Sequence, residues 1–302
     1  MKIILSRKGF DSEYGGYPSP ILPDGRLLPI PDANEGVSYG DLLVDHDTTY
    51  FDIMHMLKPS IRIRGERPTL MPNTSCHLDP DIRVSTLKRK AGWKGLFGQI
   101  DAAQSHLHNQ GVGVDDLFLF FGWFRQTVGV DGKIVFDQSE PHGKHIVYGY
   151  LQVGEVRSVT SKTALADWIL YHPHTSQSRR EKDNNTIYVA REHLSWSPGT
   201  PGFGVFRFAP HLVLTAPNAT RSKWKFPSFF KETSISYHSS SSWKNDYFQS
   251  AGKGQEFVIN ANEWVTDWAK ELIEIGWGAG ELAIVLTQAK LQQREWRDGR
   301  PY

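Results

Sequence analysis

A single cysteine, Cys76, stands in the whole sequence, which excludes an internal disulfide framework and any cysteine-ligated zinc cluster. No window approaches the roughly 18 unbroken apolar residues of a membrane-spanning helix. The opening MKIILSRKGF carries an apolar run too short for a secretory signal, so the expected compartment is the cytoplasm. There is no Walker loop, no GxGxxG after a strand, no GxSxG elbow and no paired CxxC. ATP, dinucleotide and zinc-deaminase chemistry are therefore not expected, and neither a cofactor nor a metal is. Cofactor-free hydrolysis, or binding alone, fits these absences better than group transfer.

Net charge is also slight, at +1, but its distribution is uneven. From Asp11 to Asp52 nine acids face one base, Arg26, a net of −8. From Leu57 to Gly95 nine bases face Glu66, Asp79 and Asp81, a net of +6. RSKWKFPSFFK, Arg221 to Lys231, holds bases and aromatics without an acid. Such segregation allows a local anion-binding face on a nearly neutral chain, with phosphate backbone the obvious partner. Alternatively, the acidic stretch folds over the basic one and neutralises it. Ten Trp and 12% aromatics can line a pocket for a flat base as well as fill a core.

The first 32 residues read as one strand, around Ile3 to Leu5, feeding a long loop punctuated by Gly and Pro. Loops of that length are usually functional or disordered, and the Tyr and apolar residues in this one favour function. DLFLFFGWFRQTV reads as a buried strand, Asp131-Gly132 as a tight hairpin, and KHIVYGYLQVGEVRSV as a strand bent near Gly149 or Gly154. NNTIYVA, GVFRF and HLVLTAP read as shorter strands. TALADWILYH and ANEWVTDWAKELIEIG have helical spacing. In the second, Trp264, Trp268, Leu272 and Ile275 share a face and Asn260 or Asn262 caps the start. Strands outnumber helices without alternating regularly, so the expected fold is α+β around a mostly antiparallel, partly barrel-like sheet with flanking helices.

The densest polar cluster is SCHLDPDIR, Ser75 to Arg83. In an extended chain His77, Asp79 and Asp81 point to one side, and a bend at Pro80 would bring the carboxylates together. Two carboxylates and an imidazole can serve as general base, electrostatic stabiliser or metal ligands, and Arg83 suits a phosphate. The competing reading is a surface turn whose Asp residues cap local backbone. His77-Leu78-Asp79 also matches the first two ligands of a facial-triad iron site with a distant His, a three-letter pattern common by chance. His172 and His174 in YHPHTS share a side if extended, which suits a metal or a phosphate, or else marks a loop. Asp11 directly follows the first strand, where side chains commonly project into a site, whereas Asp24 in a Pro-Asp-Gly turn reads as structural.

Several stretches together resemble a known family: SRKGFDSEYGGYPSPILPDG, HLDPDI, LFGQIDAAQSHLHNQGV, DLFLFFGWFR, HIVYGYLQVGEV, HPH and NTIYVA, in order from Ser6 to Ala190. They are similar to the third of the nucleotide modification associated domain families, labelled DNA base hypermodification proteins and found beside DNA-modification and phage-conflict functions. The resembling stretches include Asp11, His77, Asp79, Asp81, His172 and His174. More loosely, GVDDLFLFFGWFR and HIVYGYLQVGEV resemble the barrel of PUA-like domains, with Asp115 where those have Gly. The resemblances imply a single domain over residues 1–302, with a PUA-like strand core around 95–160 and a basic-aromatic C-terminal part, 205–302. They imply DNA carrying modified bases as the partner. Three activities stay open: a DNA glycosylase excising a bulky base such as glucosylated hydroxymethylcytosine, an enzyme that builds hypermodifications, and a non-catalytic reader. For excision of a flipped base, the expected catalytic residues are Asp79 and Asp81, with His77 and Asp11. The expected binding residues are Arg83, Tyr14, Tyr17, Phe121, Trp123, His172, His174, Lys223 and Lys225.

Overall fold

The computed structural model describes residues 1–277 apart from Arg64 and Lys253, so the end of the expected C-terminal part lies outside the described residues. Nine strands form its main sheet: β1 (Ile3–Arg7), β2 (Ser19–Ile21), β3 (Leu96–Gln99), β4 (Leu117–Val130), β5 (Lys133–Phe136), β6 (Lys144–Ser158), β7 (Thr186–Ala190), β8 (Phe203–Val205) and β9 (Glu256–Ile259). Their order is β9-β1-β4-β6-β7-β3, with β2 and β5 also on β4 and β8 on β6. β1 and β2 run parallel to β4, and the other pairs are antiparallel. The class is α+β with a mixed, mostly antiparallel sheet and few helices.

β4 is the spine. A strand covered on both faces needs a continuous apolar run rather than alternation, and LFLFF supplies it: Leu117 to Phe121 are all fully buried. Phe118 and Phe120 stack on one face and close on Phe97. The strand turns into β5 at Asp131 and Gly132, whose φ values of 48° and 74° are those of the tight hairpin turn that Asp-Gly favours. β6 breaks register beside the two glycines at which a bend was expected. It slips against β4 at Tyr148, next to Gly149, and against β7 at Gly154. A bulge re-aims the extra side chain.

The barrel expectation is corrected, because no closed barrel forms among the described residues; β9 and β3 are edges. A side-chain hydrogen bond links these edges, Gln99 Nε2 donating to Glu256 Oε1 at 2.5 Å. Helix α2 (Asp101–Asn109) packs on β9 and accepts a hydrogen bond at Gln104 from the Tyr188 hydroxyl. Two further expectations fail locally. HLVLTAP forms a 3₁₀ turn at Pro210–Leu212 and isolated bridges, since Pro210 lacks the donor a ladder needs. TALADWILYH forms turns, with Ile169 and the closing His172 reaching burial. The C-terminal helix does form at Glu263–Trp277, capped by Asn262 through the Val265 amide. Its buried face is Val265, Ala269, Leu272 and Ile273, while Trp264 and Ile275 are exposed. No helix among the described residues is long and apolar enough to cross a membrane.

Three cores result. The largest fills the sheet. The second is built by the opening loop through Leu78, together with helix α1 (Tyr50–Leu57). A small third core holds Leu96, Val159, Ile169, Ile187 and Val189. Segments from all three converge on one polar interior.

Candidate functional site

Cys76 and Leu78 belong to the second core, so alternation turns His77 and Asp79 away from it. Facing them is a 3₁₀ turn started by Pro173, which carries His172 and His174 and follows Ile169 of the third core. β3 supplies the floor. Gly98 leaves room for the His174 ring, because a Cβ there would come within 2.2 Å of it. Asp79 is consequently ringed. Its Oδ1 accepts from the Gly98 amide at 2.8 Å and lies 3.4 Å from His172 Nε2. Its Oδ2 lies 3.7 Å from the Nε2 atoms of both His77 and His174. One ligand atom from each of His77, Asp79 and His174 can be chosen so that all three lie within 4.8 Å of one another, a set able to hold a metal ion.

The Asp79 side chain is only 3% exposed, so water does not screen these charges. Burial opposes its ionisation, but His172 and His77 hold its carboxyl well below the usual carboxylate range. Burial also lowers His77 and, further, His174, outweighing the attraction of Asp79. At His77 and His174 the centre thus sets an anion beside imidazoles that burial disfavours in their charged form.

Asp81 does not join Asp79. Arg89 grips its carboxylate with two bonds of 2.6 Å, and the Tyr171 hydroxyl donates to it as well. Trp93 Nε1 donates to that hydroxyl at 2.7 Å, and the Arg89 guanidinium lies 4.0 Å above the Trp93 ring. This buried network ties the strand segment after Asp79 to Tyr171, the residue before His172. Arg83 is buried and lines, with Gly9, Pro31, Asp79, Asp81 and Tyr148, a cavity of about 20 Å³, room for one water. Burial above all, with the Asp79 charge beside it, raises the bulged Tyr148 hydroxyl well above its ordinary value.

Three ionisable residues around this centre, Lys8, Asp32 and Glu256, are not among those the sequence singles out. Lys8 Nζ pairs with the buried Glu256 at 3.0 Å and lies 4.7 Å over the Phe97 ring. Asp32 has a carboxyl oxygen sealed from solvent and without a hydrogen-bond partner. Burial and the Asp11 charge, against Lys8, push its carboxyl up to about 7. Its carbonyl accepts from the His77 amide at 2.8 Å. A lysine and glycine directly after β1 were a usable signal for Lys8; nothing local marks Asp32 or Glu256.

Gly9 also borders a surface pocket of about 300 Å³ lined by Arg7, Lys8, Asp11, Trp123, His145 and Arg221, at the lower end of small-ligand sites. Asp11 shapes it by accepting the amides of Glu13 and Tyr14. Arg221 lies 4.2 Å over the Trp123 ring and donates to Ser12 Oγ at 2.6 Å. The other expected binding residues fall elsewhere. Tyr14 is half exposed outside the pocket, and Tyr17 is buried against Phe10 and Phe136 in the second core. Phe121 is fully buried against Trp224 and Phe257. Neither buried ring offers a face to a base. Lys223 sits over the Tyr247 ring. Lys225 borders a groove of about 1010 Å³ with Lys144, His142, His211 and Thr220, adjacent in sequence to His145 and Arg221 of the pocket.

His145 makes a pH prediction. It accepts from Trp224 Nε1 at 3.0 Å through Nδ1, and burial, with Arg7 and Arg221, lowers it to about 3. Between its ordinary value and 3 the unfolded chain binds a proton that the folded chain refuses, so stability falls as pH drops through that window. The contribution is on the order of a few kcal/mol. Urea unfolding at pH 7 and pH 4 should show a smaller acid loss for His145→Asn, whose amide oxygen can replace Nδ1. An unchanged loss would contradict the buried neutral imidazole.

No curated protein and no solved structure matches the chain. Residues 2–260 match the family model described as nucleotide modification associated domain 3, and the chain belongs to that family.

Proposed function

We propose that this member of the nucleotide modification associated domain 3 family is a hydrolase that excises a bulky modified base from DNA. The observation that carries the reading is the shared wall at Gly9. On one side lies the cationic, aromatic pocket of Arg7, Lys8, Trp123 and Arg221, and on the other the water-sized cavity over Asp79. A flipped nucleotide would stack on Trp123 beside Arg221, its phosphates facing Arg7 and the groove at Lys144 and Lys225. The attacking water would sit in that cavity beside Asp79, where a desolvated carboxylate also stabilises an oxocarbenium sugar. The water oxygen bonds to C1′ as the C1′–N bond breaks, and the electron pair of that bond leaves with the base. The water proton passes to the carboxylate–imidazole cluster, and the departing base takes up a proton from solvent in the surface pocket. Asp81 has no part in this chemistry, its carboxylate being held by Arg89.

The test uses matched DNAs carrying cytosine, hydroxymethylcytosine or glucosylated hydroxymethylcytosine, followed by alkali and recovery of free base. Alkali-labile breaks on one modified DNA are expected. Asp79→Asn should abolish them, and Arg221→Ala should raise KM roughly 10-fold or more, the worth of a charge-assisted hydrogen bond. Intact DNA with modification-dependent binding would replace excision by reading. Intact DNA altered only when a donor is supplied would replace it by hypermodification.

A further inference from the structure

We infer that His77, Asp79 and His174 form a binding site for one divalent transition-metal ion, whatever reaction the site serves. Asn185 donates both amide hydrogens, to the carbonyls of Val159 at 2.9 Å and His174 at 2.8 Å. Its Oδ1 can therefore only accept, so His174 Nδ1, 2.7 Å away, carries the proton. The other ring nitrogen, Nε2, is the atom left to a ligand, and it faces Asp79 Oδ2 at 3.7 Å, too long for a hydrogen bond. His77 Nε2 lies at the same 3.7 Å from this oxygen, so the three atoms are spaced around a common point as the ligands of an ion are, not as hydrogen-bond partners.

The other oxygen is differently placed. Asp79 Oδ1 takes the Gly98 amide, and His172, whose Nδ1 accepts the His174 amide at 3.3 Å, directs its remaining nitrogen at Oδ1. His172 Nε2 is buried and makes no hydrogen bond. Thus Oδ1 is oriented by its neighbours while Oδ2 is left to the Nε2 atoms of His77 and His174. His77 Nδ1 is likewise buried without a partner, so nothing obliges its Nε2 to carry a proton. Bonds of about 2.0–2.2 Å to nitrogen and carboxylate oxygen require the three ligand atoms to draw in slightly from their present spacing. The donor set, two imidazoles and one carboxylate, suits Zn²⁺, Fe²⁺, Co²⁺, Ni²⁺ or Mn²⁺ and is poor for Mg²⁺ or Ca²⁺. Asn185 fixes the ring orientation of one ligand and the Gly98 amide that of the carboxylate, with His172 Nε2 3.4 Å from the same oxygen, as second-layer partners do at metal sites. A cation bound here with open positions would make its water a stronger acid near neutral pH, which is compatible with the proposed hydrolysis but not needed for the site.

The full-length protein, stripped by chelator and dialysed, is titrated with Zn²⁺ by calorimetry and with Co²⁺ by visible absorption, without DNA. One ion per chain is expected, with a histidine-ligated Co²⁺ spectrum and no competition from millimolar Mg²⁺. His77→Ala and His174→Ala should each weaken binding at least 100-fold, and His172→Asn roughly 10- to 100-fold. Circular dichroism identifies any variant that has not folded. Wild-type protein that is folded and takes up neither ion at tens of micromolar overturns the site, as does binding unchanged in folded His77→Ala and His174→Ala. Because binding is read without substrate, absence of excision leaves the site standing. Excision by protein that binds no metal removes the site and leaves hydrolysis standing.

Discussion

Asp81→Ala should lose about 3–5 kcal/mol of folding stability, the cost of leaving a buried guanidinium without its carboxylate. The Arg89 side chain is 5% exposed and that of Asp81 1%, so solvent cannot replace the missing charge. Urea unfolding at pH 7 is the measurement. Asp79→Asn should behave oppositely, keeping an oxygen for the Gly98 amide and most of its stability while losing turnover. The double variant Asp81→Leu with Arg89→Met should recover much of what either single change loses, since a buried ion pair replaced by apolar groups is often neutral. If Asp81→Ala keeps wild-type stability yet loses turnover, Asp81 belongs with the chemistry and the paired-carboxylate mechanism returns. The network has a positional role too. It joins Asp81, two residues after Asp79, to Tyr171, one residue before His172, so its loss would also let the two arms of the site drift apart.

That separation of Asp79 from Asp81 marks where sequence stops being informative. Alternation correctly turns His77 and Asp79 to one side, because Cys76 and Leu78 are apolar and claim the other. Extending the alternation through Pro80 fails, because Arg89, eight residues on, captures Asp81 in a contact that no local pattern encodes. His172 and His174 are legible as a pair, but their partner Asp79 is not, being 93 and 95 residues away. Aromatics mislead in the same way. Tyr17 and Phe121 look like stacking surfaces and are core, while Trp123 does face a pocket; composition cannot separate the two fates. β4 and the Asp131-Gly132 turn are legible since each rests on local sterics and a run of apolar residues. The open sheet is not, since closure depends on how β3 and β9 meet, and Gln99 and Glu256 are 157 residues apart. Asp32 is illegible for a similar reason: its burial comes from the folding of the whole opening loop over the sheet.

Gly98→Ala is expected to abolish turnover, by 100-fold or more, through a single methyl group. The glycine is not there for its backbone freedom, since its φ is not positive and alanine is at ease in a strand. It is there for space. An added Cβ would lie 2.2 Å from His174 Cδ2, 2.4 Å from Cγ and 2.7 Å from Nε2, and the ring cannot yield easily because Asn185 holds its other nitrogen. Either the ring tips out of the cluster or β3 backs away, taking with it the amide that holds Asp79 Oδ1. Overpacking of this kind costs about 1–3 kcal/mol. Combining Gly98→Ala with His174→Ala removes the clash, so the double variant should regain stability over Gly98→Ala alone while staying inactive. Gly129→Ala in the same sheet, where a Cβ would meet nothing within 4 Å, is the control and should be silent. Full activity in Gly98→Ala would mean that the His174 ring can move without consequence, and the chemistry would then have to be sought away from Asp79, in the pocket beside Asp11 and Arg221.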